Sequence, residues 1–540
     1  MRVLRRVLII AVAVAVLAAG GVATAFTVVW SRAATSTAGK VAFAEPLAIP
    51  PLAESRVDAQ GRRVLDLTAG EGSHDFGQGR STPTWGFNGD YLGPTLRAQR
   101  GEQVVVNVHN ELAENTTVHW HGMHLPAAMD GGPHQPIAPG DTWSPTWRID
   151  QPAATLWYHP HPHGHTEEHV YRGLAGMFIL DDEAAAVDLP DEYGVDDIPV
   201  IVQDKRFTND GHLNESSPLG SDIGVLGDTI AVNGTVAPYL DVTTQRLRLR
   251  LLNASTARSY DFGFADDRQF ALVGTDGGLL ATPYRTSRAR LSPGERAEIV
   301  VTVDPGEEAV LRSTPPPLGL DAINRRMSGG DDTLDILQLR AAGELAPSPE
   351  MPESLVEVPR LDPAEAAQTR TFRLSGRNIN GQRMDMDRID ATVRTDSVEI
   401  WEVTNAQNTT HNFHVHDVQF QVLTMDGGPP PPELAGWKDT IYLPPDVRFE
   451  LILRFADYAD ADMPYMFHCH ILYHEDRGMM GQFLVVEPGQ EAGTPGGTHH
   501  HHHDDGNAST LNAVSPAEPS RRPRVGSARP PRTTDDRANR

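Results

Sequence analysis

The chain has 540 residues, too many for one hydrophobic core, since single cores stop growing at ~250–300 residues. Its 46 Lys and Arg against 72 Asp and Glu leave a net charge of −26, which argues against a nucleic-acid partner because phosphates would be repelled. One cysteine in the whole chain excludes an internal disulfide, so Cys469 is there for another reason.

At the N-terminus Arg2, Arg5 and Arg6 precede an apolar run from Val7 to Trp30. Secretory apolar regions are ~7–15 residues long and a membrane span needs ~20, so this run predicts an uncleaved signal anchor with the arginines on the cytoplasmic side. Ala23-Thr24-Ala25 offers a small-residue cleavage pattern, and residues 1–45 are read as signal anchor or signal peptide and linker. Arg5-Arg6 hints at twin-arginine export, although no serine precedes the pair. Either way the rest of the chain is expected outside the cytoplasm, held at the membrane by residues 7–30 or released to the periplasm or cell exterior.

From residue 46 onward the pattern is alternation. Asn88-Gly89, Asn233-Gly234 and Asn380-Gly381 each precede an alternating apolar run that ends near an asparagine. The runs are Val104-Val106-Val108 before Asn110, Leu247-Leu249-Leu251 before Asn253, and Val398-Ile400 leading to Val403 before Asn405. With 48 Gly and 42 Pro at the turns and little helical periodicity, this predicts an all-β chain of three sandwich repeats. The stretch 341–359, with Pro347, Pro349, Pro352 and Pro359, reads as a linker. From 489 to 540 there is almost nothing to bury, which predicts a disordered tail; its run His499 to His503 is read as a polar spacer or a metal-capture device.

Histidines cluster in the first and third repeats. His119-Trp120-His121 and His159-Pro160-His161 each put two imidazoles on one face of an extended chain. In His411-Asn412-Phe413-His414-Val415-His416, His414 and His416 share a face and His411 has the opposite parity. In His468-Cys469-His470 the two imidazoles point one way and the sulfur the other. Parity therefore groups His411 with Cys469, His474 and Met479, and a thiolate with imidazoles and a thioether is the ligand set of a blue-copper site. The other eight histidines are too many for one copper and suit a cluster of three. His124, His134, His163, His165 and His169 are read as lining an access route or facing solvent.

The order HWHG, WYHPHPHG, HNFHVH and HCHILYHEDRGM resembles the four copper motifs of the multicopper oxidases, the laccase superfamily, and is most similar to the bacterial copper-efflux-oxidase and laccase-like branch. The likeness runs from about residue 46 to 488. It implies three cupredoxin-like Greek-key β-sandwich domains at about 46–182, 190–345 and 356–488. The middle one, with His212 alone and no cysteine, would hold no copper and act as a spacer. By the resemblance His411, Cys469, His474 and Met479 hold type 1 copper, and His119 and His414 hold type 2. His121, His159, His161, His416, His468 and His470 hold the type 3 pair, for four copper ions in all.

The implied reaction takes electrons singly from a small reducing substrate at type 1 copper, through Cys469, and reduces O2 to water with four of them. Asp130 and Glu475 stand where the family keeps proton-carrying carboxylates; as bland alternatives they are a turn residue and a surface charge. The methionine-rich insert of copper-efflux oxidases has no equivalent, and only Met384 and Met386 lie close together. Gln407-Asn408-Thr409-Thr410, before His411, lacks the Asp and Met that relatives use for substrate Cu(I). Phenols or aromatic amines are therefore the favoured donors, beside metal ions such as Cu(I), with a dedicated cuprous oxidase for copper tolerance as the alternative. A further alternative is a non-catalytic envelope scaffold of the same fold that has lost copper.

Overall fold

The structure, a computed structural model, describes residues 33–493 except 186 and 218–220, together with Arg5, Thr24 and residues 27–31. Most of the apolar run 7–30 and everything after residue 493, including His499 to His503, lie outside the described residues. Among those described, no helix is long and apolar enough to cross a membrane.

Among the described residues six β-sheets come in three consecutive pairs. The first pair packs a sheet built on Arg63–Asp75 and Gln103–Asn110 against a four-stranded sheet ordered Leu96–Gln99, Gly176–Asp181, Ala154–His159, His119–His121. The second joins a seven-stranded sheet to a six-stranded one over residues 197–346, and the third joins two five-stranded sheets over 366–486. Each pair encloses its own apolar core. Alternation drives this: Val104, Val106 and Val108 are fully buried along one face of their strand, each contributing ~1.5–3 kcal/mol of apolar burial.

The repeat is physical. Asn110, Asn253 and Asn405 end equivalent strands and make the same three bonds. Each side-chain oxygen accepts from the backbone N–H two residues on (Leu112, Ser255, Gln407). Each amide donates to a carbonyl four or five residues on (Glu114, Arg258, Thr409) and to a distant one (Ile137, Leu291, Leu443). Asn88, Asn233 and Asn380 likewise share a left-handed backbone, with φ of 57°, 50° and 54°, as asparagine tolerates. Each bridges a neighbouring strand through both ends of its amide.

Two parts of the chain behave otherwise than expected. Residues 33–47 pack on the middle pair: Glu45–Pro46 pairs in parallel with Pro238–Thr244, and Thr35 and Gly39 donate backbone N–H groups to Asp332 and Asp335. The stretch read as a linker begins as strand, because Leu334–Ala346 runs six residues into it.

Candidate metal centre

Strand alternation aims the four clusters. In His119–His121 the ring of Trp120 is buried in the first core, so the flanking imidazoles leave by the opposite face. This strand pairs with Ala154–His159 so that His119 faces His159 across the ladder. In the third pair His414 faces His468, while Phe413 and Cys469 turn into the third core. Eight imidazoles from the first and third pairs thus meet in one buried space. Asp130 begins the turn that closes it. Gly131, at φ 77°, lies so close that a Cβ would fall 1.7 Å from the Val118 carbonyl oxygen, so no side chain fits there.

Hydrogen bonds on the outer side of each ring decide which nitrogen faces inward. His119 Nδ1 donates to the Asp130 carbonyl at 3.0 Å and His414 Nδ1 to the Asp439 carbonyl at 2.9 Å. The Nε2 atoms of both are buried without a partner. His416 Nδ1 bonds Asp130 Oδ2 at 2.7 Å and His468 Nδ1 the Cys469 carbonyl at 3.3 Å, with Glu475 Oε2 at ion-pair distance, 3.1 Å. The inward Nε2 of His468 is 3.2 Å from Nε2 of both His161 and His416. A third set brings His159 Nε2 to 3.4 Å from His121 Nδ1 and from His470 Nε2, while His121 Nε2 is held outward by Asp439 at 3.0 Å.

Ring nitrogens at these distances share either an N–H···N bond or a bound cation, and so many converging on one space cannot all be paired by single protons of neutral rings. Protons are a poor solution: burial, reinforced by the neighbouring imidazoles, pushes His121, His159, His414, His416 and His470 far below the ordinary imidazole range, and His161 to about 4. Three sets of inward nitrogens fit metal ions, and six of the eight rings are oriented by an outer acceptor as metal-binding histidines are, the outer nitrogens of His161 and His470 being buried without one.

The remaining set lies on the far side of His468-Cys469-His470. Cys469 Sγ is 3.6 Å from Nδ1 of both His411 and His474, and all three residues are buried. His474 Nε2 donates to the Asp222 carbonyl at 2.7 Å, which leaves its Nδ1 bare toward the sulfur. Met479 is buried in the same core, with its backbone bonded to Cys469 and His474. Burial pushes the Cys469 thiol up to about 12, so only a bound cation would make it a thiolate near neutral pH. The two arrangements are joined by three consecutive residues.

Asp130 and Glu475 are both buried against the inward imidazoles, which rules out the turn-only and surface-charge alternatives. Glu475 lies 3.5 Å from His161 Nδ1 at its other oxygen, at ion-pair distance without hydrogen-bond alignment. Sequence reasoning missed Asp439, Asn412 and Arg296, all fully buried beside these rings. Of the histidines read as peripheral, His163 is exposed. His169 neither lines a route nor faces solvent; it is buried between Thr116 and Glu114, edge-on to Trp85.

His124 faces a cavity of about 810 Å³ where all three sheet pairs meet. Burial disfavours its cation, but Asp417 at 2.7 Å, with Asp457, raises it to about 9. Because this folded value exceeds the unfolded value of ~6.5, the stabilisation is complete below pH ~6.5 and lost as pH rises through about 9. His124→Gln should therefore cost about 1–3 kcal/mol near pH 6 and nearly nothing near pH 10, read as the difference in thermal midpoint from wild type.

Comparison with known proteins agrees along the chain. Family models for multicopper oxidase match residues 68–185, 208–309 and 355–489. A multicopper oxidase of Staphylococcus haemolyticus is 36% identical over 447 residues, covering 81% of this chain and 92% of that one. The chain belongs to the multicopper oxidase family. A cell division protein, FtsP, of Xenorhabdus nematophila is 37% identical over 447 residues, covering 82% and 92%. The solved laccase-like multicopper oxidase CueO of Ochrobactrum sp., with oxidase activity towards lignin model compounds and lignosulfonate, superposes with a TM-score of 0.75 at 36% identity, covering 82% of this chain and 100% of that one. The paired sheets are thus the cupredoxin-like fold of multicopper oxidases. This multicopper oxidase is a copper-dependent oxidoreductase that uses O2 as acceptor, and its cofactor is four copper ions, one type 1, one type 2 and two type 3.

Proposed function

We propose that type 1 copper is held by His411, Cys469, His474 and Met479, and type 2 by His119 and His414. One type 3 copper takes His121, His159 and His470, and the other His161, His416 and His468. The observation that carries this reading is the set of buried ring nitrogens turned inward by outer acceptors. When bound, the copper ions accept electrons one at a time and deliver four to O2. The chain's part is to keep the two arrangements one residue apart through Cys469 and to bring protons to a space closed to bulk water. Asp130 and Glu475 are the groups for that task, since both touch inward histidines and are buried. Three domains at about 46–182, 190–345 and 356–488 remain the working division, with the working site shared by the first and third.

The donor we favour is a phenol or aromatic amine, at the His474 edge. Tyr473 lies there between the guanidinium groups of Arg377 and Arg477, 5.1 and 5.0 Å from its ring, a surface suited to an aromatic donor. A Cu(I)-oxidising reading keeps one specific support. The Met384 backbone N–H donates to the Gly478 carbonyl at 2.9 Å, so the two methionines of the 384–387 segment flank the type 1 loop. The export-like N-terminus supports an extracytoplasmic location, anchored or released.

Copper stripping tests the ligand assignment. Because the ligands come from two separate cores, bound copper ties them together, and binding to the folded state alone adds about 2.7 kcal/mol at a hundred times Kd. The copper-free protein should unfold at lower temperature and recover both four ions per chain and its original midpoint on reloading. Binding of one ion or none by folded protein contradicts the assignment.

A further inference from the structure

The middle pair of sheets supplies no proposed copper ligand, yet its 292–296 turn touches the surroundings of Cys469 and of His121, His414 and His470. The turn joins Ala289–Leu291 to Arg296–Thr302 and is pinned at its base by Asn253, which accepts the Gly294 N–H on its carbonyl at 2.9 Å. Gly294, at φ 87°, packs flat against the ligand rings: a Cβ would lie 3.1 Å from His470 Nδ1 and 3.2 Å from His121 Cε1.

On one side of the turn, Arg296 closes a bidentate fork on Asp439, at 2.7 and 2.6 Å. Its remaining donors go to the carbonyls of Gly294, Asp276 and Thr155, so the guanidinium is fully engaged and fully buried. The Asp439 carboxylate then accepts from His121 Nε2 at 3.0 Å, and its carbonyl accepts from His414 Nδ1 at 2.9 Å. Those two bonds decide which nitrogens of His121 and His414 face inward. Lys438, next in the chain, is tied to Asp276 and Glu295 of the middle pair at 2.9 and 3.0 Å, which fixes the same strand end a second time.

On the other side of the turn, Ser292 Oγ and the Pro293 carbonyl accept both N–H groups of Asn412, at 3.0 and 2.8 Å. That orients the Asn412 side-chain oxygen to accept the His470 backbone N–H at 2.6 Å and to lie 3.5 Å from Cys469 Sγ. One short turn therefore reaches the trinuclear histidines through Asp439 and the cysteine sulfur through Asn412.

We propose that the 292–296 turn is a positioning element for both copper centres: Arg296 sets His121 and His414 through Asp439, and Ser292 with Pro293 sets the Cys469 sulfur through Asn412. This rests on the ligand assignment above. It replaces the spacer role expected of the middle domain with a direct one. Arginine is needed because its planar fork meets both carboxylate oxygens while three further donors anchor it; a lysine cannot do both.

The test uses full-length, copper-loaded protein and three variants: Arg296→Lys, Ser292→Ala and, as a surface control, Arg454→Lys. Wild type with four bound ions and a blue absorption band is the prior check on the ligand assignment, and its failure would fault that assignment, not the turn. Given that check, Arg296→Lys should lower retention of the trinuclear copper against a chelator 10- to 100-fold and alter the type 2 EPR signal, with the blue band intact. Ser292→Ala should shift the type 1 midpoint potential while the trinuclear signals persist, and Arg454→Lys should change neither. An unaltered EPR signal and chelator resistance in Arg296→Lys, or equal loss of both centres, would overturn the proposal. Should Arg296→Lys not fold, Ser292→Ala decides: a shifted potential supports the positioning role and an unchanged one overturns it.

Discussion

Cys469→Ser should abolish the blue absorption and lower donor oxidation by at least about a hundredfold, the upper end of what loss of a mere outer partner causes. No other thiol exists in the chain to replace it. The sulfur is fully buried between two Nδ1 atoms at 3.6 Å, so a hydroxyl there offers copper a harder and weaker ligand without changing the packing. His468 and His470 keep their places on the opposite face, and three copper ions should stay bound. Visible absorption, copper analysis and O2 uptake on one preparation check all three points. A blue band persisting in the serine variant would remove Cys469 from the type 1 site.

Asp130→Asn is the second large effect. Asp130 has two separate duties: its carbonyl accepts from His119, and its carboxylate meets His416 Nδ1 at 2.7 Å, with the other oxygen buried 3.4 Å from His119 Nδ1 without hydrogen-bond alignment. The amide keeps the carbonyl and still offers an oxygen to His416, so copper content should be unchanged. What it loses is the ability to take up and release a proton beside the inward histidines. General acid–base groups contribute ~10²–10⁴-fold, and turnover should fall within that range with an altered pH profile. Copper-loaded Asp130→Asn with wild-type turnover and pH dependence would take the proton role away from it.

Much of this was legible because it is written in short-range pattern. Spacing of two along a strand fixes which face an imidazole takes, so the division of His411 and Cys469 from the eight paired histidines could be read before any contact was seen. The Asn88/Asn233/Asn380 and Asn110/Asn253/Asn405 repeats were visible for the same reason, since each asparagine bonds mainly to its own turn and neighbouring strand. What could not be read joins distant segments without periodicity. Arg296 meets Asp439 across 143 positions, and Asn412 meets Ser292 across 120. The Trp437-Lys438-Asp439-Thr440 stretch looks like any strand entry until the middle pair is docked on it. His169 was misjudged because nearness in sequence to His159 and His161 says nothing about a helix that turns it back onto Trp85. Residues 33–47 look like linker since their partners, Asp332 and Asp335, lie almost 300 positions away.

The alternative of a copper-free scaffold is sharpened by the likeness to FtsP, a cell division protein, at 37% identity against 36% for the staphylococcal oxidase. The convergence of eight buried imidazoles on one space separates the two readings, because a scaffold gains nothing from burying so many polar rings together. The decisive measurement is O2 uptake by full-length protein carrying four copper ions, with a methoxyphenol and with Cu(I) as donors. The account predicts uptake of one O2 for every four one-electron donor oxidations, without release of peroxide and faster with the phenol. No uptake with either donor, with all four ions bound, would contradict it.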